Sequence, residues 1–147
     1  MQNVVVTRRM RKKLQQRLLS AVLSGDQRQV ANALRSRADP NLADRNHGTP
    51  LYQASVHGRT EIVRLLVRAG AEPNMESIGV GSDGLPLCAA ACWGHTATVR
   101  ELLAAGADPN AREDHGEGYT PSEWAARGGW TQTLAVLQAA GAGSQTR

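Results

Sequence analysis

Phenylalanine is absent from the 147 residues of this chain, and two tyrosines and three tryptophans are its only aromatic side chains. A single globular core is normally filled by large side chains. A chain that is 41% hydrophobic but this poor in aromatics suits thin interfaces between stacked units made from Ala, Leu and Val. Two cysteines exclude a disulfide framework, and reduced thiols fit a cytoplasmic protein. No apolar run approaches the roughly 18 residues of a membrane span. The basic residues near Met1 are not followed by the apolar stretch of a secretory signal, so a cytoplasmic location is expected. Acidic residues are nearly missing from one end. Residues 1–37 carry nine Lys or Arg against Asp26 alone, a net +8, whereas residues 38–147 carry eight against twelve acids, a net −4.

Residues 48–74 hold two short helices together with their start and stop signals. Thr49 offers a capping hydroxyl, and Pro50 takes the first helical position, where a missing N–H costs nothing. Leu51 and Ala54 then share a face. Gly58 breaks the chain, and Ile62, Val63, Leu66 and Val67 follow at spacings that make a buried stripe. Gly70 ends the second helix with a residue suited to positive φ, and Glu72-Pro73-Asn74 leads away extended.

The unit nearly recurs. All six prolines fall at two repeat positions: Pro50, Pro86 and Pro121 open first helices, and Pro40, Pro73 and Pro109 precede an exit Asn. Leu18, Ala21, Gly25 and Val30 lie 33 residues before Leu51, Ala54, Gly58 and Val63, although Gln16-Arg17 replaces Thr-Pro and Arg37 replaces the exit Gly. At that left-handed position Arg37 costs on the order of 1 kcal/mol. The third unit starts at Leu85-Pro86, where Leu85 has no capping oxygen and Ser82 or Asp83 is expected to supply one. The fourth starts at Thr120-Pro121, turns at Gly129 and ends at Gly141-Ala142.

The residues Thr49-Pro50-Leu51, Gly58, Glu61-Ile62-Val63, Leu65-Leu66 and Gly70-Ala71-Glu72-Pro73-Asn74 resemble the ankyrin repeat, with Tyr52 where that family carries His. The resemblance implies an all-α fold, an ankyrin-repeat solenoid of stacked helix-turn-helix units with protruding hairpin loops. It divides the chain into a basic N-terminal arm (1–13), a capping repeat (14–43), two inner repeats (44–77 and 78–112), a second capping repeat (113–142) and a C-terminal tail (143–147). The distances from exit Asn to the next helix start are 8, 11 and 10 residues, so the second and third fingers are lengthened. Met75 to Gly84 is rich in glycine and reads as flexible. The next finger carries Glu113, Asp114, His115 and Glu117 and reads as solvated charge.

Cys88, Cys92 and His95 fall on or just after one helix, but a structural zinc site needs four ligands and none completes the set, so no metal and no cofactor are expected. No nucleophile–base pair, phosphate loop or carboxylate pair stands in a catalytic context. The chain therefore reads as a non-enzymatic, monomeric module that binds another protein, and no small-molecule substrate is expected. By resemblance its contacts fall on the concave face and fingers at Arg45, Asn46, Val56, His57, Glu76, Trp93, Arg112, Tyr119 and Arg127. Trp93 is either an anchor of that groove or a packing residue between helices, whereas Trp124 and Trp130 are expected to pack in the final cap. The alternative function is attachment to a polyanion, nucleic acid or an anionic membrane, through Arg8, Arg9, Arg11, Lys12, Lys13 and Arg17, which surround Met10, Leu14 and Leu18 on an amphipathic helix running into the first repeat.

Overall fold

The computed structural model describes residues 7–79 and 83–141. Residues 1–6 of the expected N-terminal arm, the expected tail at 143–147 and the capping role of Ser82 lie outside them. Nine helices occur in the described residues: α1 (Arg8–Ser24), α2 (Gln27–Arg35), α3 (Pro50–Val56), α4 (Thr60–Arg68), α5 (Pro86–Cys92), α6 (Thr96–Ala104), α7 (Glu113–Gly116), α8 (Pro121–Gly128) and α9 (Thr131–Ala139). The single turn α7 is left-handed, with φ of 53° at Asp114 and 56° at His115. The other helices pair as hairpins. First helices stack in the order α1, α3, α5, α8 and second helices in the order α2, α4, α6, α9, giving two layers.

Local sequence sets most helix starts. Thr7, Asp26, Thr49 and Thr120 each accept a hydrogen bond from the backbone N–H three residues on, and Glu123 closes a capping box with Thr120. Leu85 makes no such bond. Asp83 does not cap it: its carboxylate accepts from Gly79 N–H at 2.7 Å, inside the finger. The left-handed turn expected at Arg37 is present, with φ 71°.

The core between the layers is built from Leu18, Val22, Val30, Leu51, Val63, Leu66, Leu87, Val99, Leu102 and Leu137, with alanines where helices approach closely. Helices this short are marginal alone, so packing on a neighbour stabilises each one. Gly58 shows how tight the stacking is. Its φ is +63°, and a Cβ there would lie 2.6 Å from His95 Nδ1 of the next repeat.

Hydrogen bonds join the repeats at three levels. At the exits, Asn41 donates to Gly70 O at 3.0 Å and accepts from Glu72 N–H at 2.8 Å. Asn74 does the same with Gly106 O and Asp108 N–H at 3.0 and 2.8 Å. The first repeat has no Asn before it. Gln15, from the long α1, substitutes by donating to Asp39 O at 2.6 Å and accepting from Asp39 N–H at 3.0 Å. At the turns, Arg59, His95 and Trp130 reach back to the carbonyls of Leu23, Val56 and Cys92 at 2.8, 3.0 and 2.9 Å. Between second helices, the buried hydroxyls of Thr98 and Thr133 pair with Thr60 and Thr96 at 3.0 and 2.8 Å.

The exit ladder is testable. Asn74→Ala removes two inter-repeat bonds at a solvent-accessible site, so urea denaturation should show a loss of about 1 to 2 kcal/mol. Unchanged stability would mean that water replaces the amide at no cost.

Candidate functional site

The hairpin fingers are small bridges. Asp44 and Gly48 exchange both backbone bonds at 2.9 Å, and Ser77 and Gly84 do so at 2.7 and 3.0 Å. Successive fingers lie against one another. A Cβ on Gly79 would come within 2.8 Å of Gly48 N, so this part of the second finger is packed on the first rather than free.

The acidic finger is not simply solvated charge. Half-buried Glu113 accepts from Leu85 N–H at 3.2 Å and from Trp124 Nε1–H at 2.7 Å, supplying the partner that the start of α5 lacks in its own sequence. Ser77 Oγ serves the start of α3 in the same register, accepting from Thr49 N–H at 3.0 Å. Burial pushes the Glu113 carboxyl above its ordinary value, opposed by the bonds from Trp124 and Leu85. Glu76, on the second finger, accepts from the N–H groups of Asp114 and His115, and so holds the left-handed turn of α7.

The nine expected contact residues separate into two groups. Arg45 and Asn46 stand exposed on the first finger, and His57 and Trp93 stand exposed as the C-caps of α3 and α5 in adjacent repeats. Trp93 is 59% exposed. The His57 ring is held below its ordinary pKa by partial burial and by nearby Arg59 and His95. The others are engaged within the chain. Val56 is half-buried with its carbonyl bound by His95, and Glu76 anchors α7. Arg112 pairs with Glu123 at 3.2 Å. Tyr119 packs edge-on to Trp124 at 5.0 Å, and Arg127 stacks over Tyr119 at 4.8 Å. Trp124 packs against the core as expected. Trp130 lies across Gly94 and Gly128 yet remains 41% exposed.

The six cations do not form one face. Arg8, Arg11 and Lys12 line a groove of about 1380 Å3 between α1 and the first finger, together with Leu19, Leu23 and Leu42. Lys13 and Arg17 line an adjoining depression with Asp26 and Gln29, which shares Gln16, Ser20 and Ser24 with the groove. Leu42 was not foreseen. Its signal was an apolar residue directly after an exit Asn, opposite a helix of 17 residues where α3, α5 and α8 have seven or eight.

Cys88 is buried, and burial raises its thiol well above the ordinary value, which keeps it protonated and a poor ligand or nucleophile. The thiol donates to Tyr119 O at 3.6 Å. Among the described residues no group of three His, Cys, Asp or Glu side chains is placed to hold a metal ion, and no helix is long and apolar enough to cross a membrane.

Stacked helical hairpins with projecting fingers and inter-repeat asparagines define a helical-repeat scaffold. A family model of ankyrin repeats, in three copies, matches residues 18–113. The chain belongs to the ankyrin-repeat family, whose repeats are generally protein–protein interaction modules and whose members are typically non-enzymatic. No curated protein matches it.

Three measurements follow from this geometry. Glu113→Ala leaves Leu85 N–H and the Trp124 indole unpaired at a half-buried site, and should cost about 2 kcal/mol in urea. Because the carboxyl is raised in the folded state, its linked stability is full below its unfolded value near 4.5 and is lost as pH rises through the folded value. The wild-type advantage over Glu113→Gln should therefore be larger at pH 4.5 than at pH 7. Purified protein should carry no stoichiometric zinc, and the Cys88→Ser, Cys92→Ser double variant should leave its metal content unchanged. One zinc per chain, lost in that variant, would overturn the non-metal reading.

Proposed function

We propose that the chain is a non-catalytic, monomeric cytoplasmic adaptor that binds another protein through its concave face and hairpin fingers. Trp93 carries this reading. It is 59% exposed and makes no hydrogen bond or ring contact among the described residues, so both its ring and its N–H are open to a partner. Exposed His57 occupies the same position one repeat earlier, and Arg45 and Asn46 are exposed on the finger that leads into α3, so exposed groups stand on the first helices of both inner repeats and on a finger beside them. Rigid repeats present such a surface at low ordering cost, and aromatic residues are the usual energetic anchors of interfaces.

The test begins with capture from native lysate, identification by mass and measurement of affinity with the purified partner. Trp93→Ala should weaken binding roughly thirtyfold, the equivalent of about 2 kcal/mol, with the melting temperature within a few degrees. A loss of roughly 3 to 5 kcal/mol of stability with affinity intact is what a packing Trp gives, and would remove Trp93 from the surface.

A further inference from the structure

The register of the repeats places the first-helix start of the first repeat at Arg17, 33 residues before Pro50, yet α1 begins at Arg8. Nine residues therefore extend the helix beyond the repeat, and their inner side faces the first finger across the groove of about 1380 Å3. We propose that this groove is a docking site for an acidic amphipathic helix of a partner protein. The proposal rests on the reading of the chain as a protein-binding module and names the chemistry of one partner segment.

Three observations converge on that occupant. The first is apolar surface. Leu23 is half-buried, and Leu42 is 52% exposed on the opposite wall, so the groove offers leucines that the fold does not cover. The second is charge. Arg8, Arg11 and Lys12 make no ion pair among the described residues. The two aspartates that also line the groove are already engaged: Asp39 accepts from Asn41 N–H at 2.9 Å, and Asp44 accepts from Asn46 N–H at 2.8 Å and contacts the His47 ring at 3.0 Å. Carboxylates from outside would complete the rim. The third is length. α1 lines the groove from Arg8 to Ser24, and its 17 residues are about 25 Å long, so a helix of four to five turns can lie beside it.

Neither wall has a free strand edge. α1 bonds its own backbone, and the Asp44–Gly48 bridge closes the finger, so an extended peptide would leave its N–H and C=O groups unpaired. A helix satisfies its own and offers leucine-type anchors at three- and four-residue spacings. A nucleic acid duplex has no use for Leu42, and a flat membrane cannot meet cations such as Arg8 and Arg17 that stand on opposite sides of α1. Lys13 and Arg17 do not line the groove; they line the depression that adjoins it across Gln16, Ser20 and Ser24.

The probe is a labelled peptide of about 17 residues, long enough to span α1, with leucines on one helical face and glutamates on its flanks. It is titrated against the full-length protein by fluorescence anisotropy. Saturable binding is expected. Leu42→Asp should weaken it at least tenfold, as should Arg8→Glu with Lys12→Glu, the latter more at low salt than at high. Arg9→Glu with Lys13→Glu should change it less than threefold. All these positions but Leu42 lie on the exposed N-terminal stretch of α1, and circular dichroism on each variant verifies the fold. Equal losses from the two charge-reversal pairs would overturn the proposal in favour of general polyanion attraction. So would equally tight binding of polyglutamate, duplex DNA or mixed phosphatidylcholine–phosphatidylserine vesicles. No binding of the probe would overturn the groove alone. In that case a partner captured from lysate and weakened by Trp93→Ala would leave the concave-face reading standing, because Trp93 does not line the groove.

Discussion

Helix ends are the constraint on which this structure depends. A helix of seven to nine residues, the length of seven of the eight right-handed helices among the described residues, has most of its backbone groups in its unpaired first and last turns. Its own hydrogen bonds do not repay the cost of ordering it. The stack resolves this by having each repeat satisfy the ends of its neighbour. Ser77 and Glu113 meet the N–H groups at the starts of α3 and α5, Arg59, His95 and Trp130 meet carbonyls at the ends of α1, α3 and α5, and the exit asparagines clamp the following turn. A repeat removed from its neighbours loses packing and these bonds together, which couples the units into one folding structure.

What was legible in the sequence follows from the same division. Thr49, Thr120, Gly58, Gly70 and the six prolines act on backbone within a few residues, and their meaning survives in one dimension. Glu113 and Gln15 act across 28 and 24 residues, so nothing near them distinguishes them from surface polar groups. Glu113 stands in a run of acids that looks solvated, and only the packing of finger on helix reveals its anchoring role. The chosen contact residues show a related ambiguity. Arg112, Tyr119 and Arg127 have the chemistry of interface anchors, but guanidinium and ring surfaces stack as readily within the chain as on a partner.

The three tryptophans make the distinction physical. Trp124 gives its indole N–H to Glu113, and Trp130 gives its own to Cys92 O across a repeat boundary, so both rings are fixed by bonds that stabilise the stack. Trp93 has no such bond among the described residues and exposes most of its surface. The repeat register assigned Trp124 and Trp130 to packing in the final cap and left only Trp93 open between the two roles. Whether the N–H is already satisfied is what separates a structural indole from one available to a partner.

The charge on α1 extends that reasoning to the open end of the stack. A terminal repeat needs a polar outer face, and Gln15 alone completes the exit ladder there. Neither requirement calls for cations. Arg8 and Lys12, Arg9 and Lys13, and Lys13 and Arg17 are each four residues apart on the helix, where like charges repel by about 0.2 to 0.5 kcal/mol per pair. The first turn contains no acid to favour the helix dipole. A helix that only covered the end of the stack would be more stable with carboxylates at several of these positions. The arrangement therefore carries a small stability cost that capping does not explain, and an anionic partner bound beside α1 would offset it.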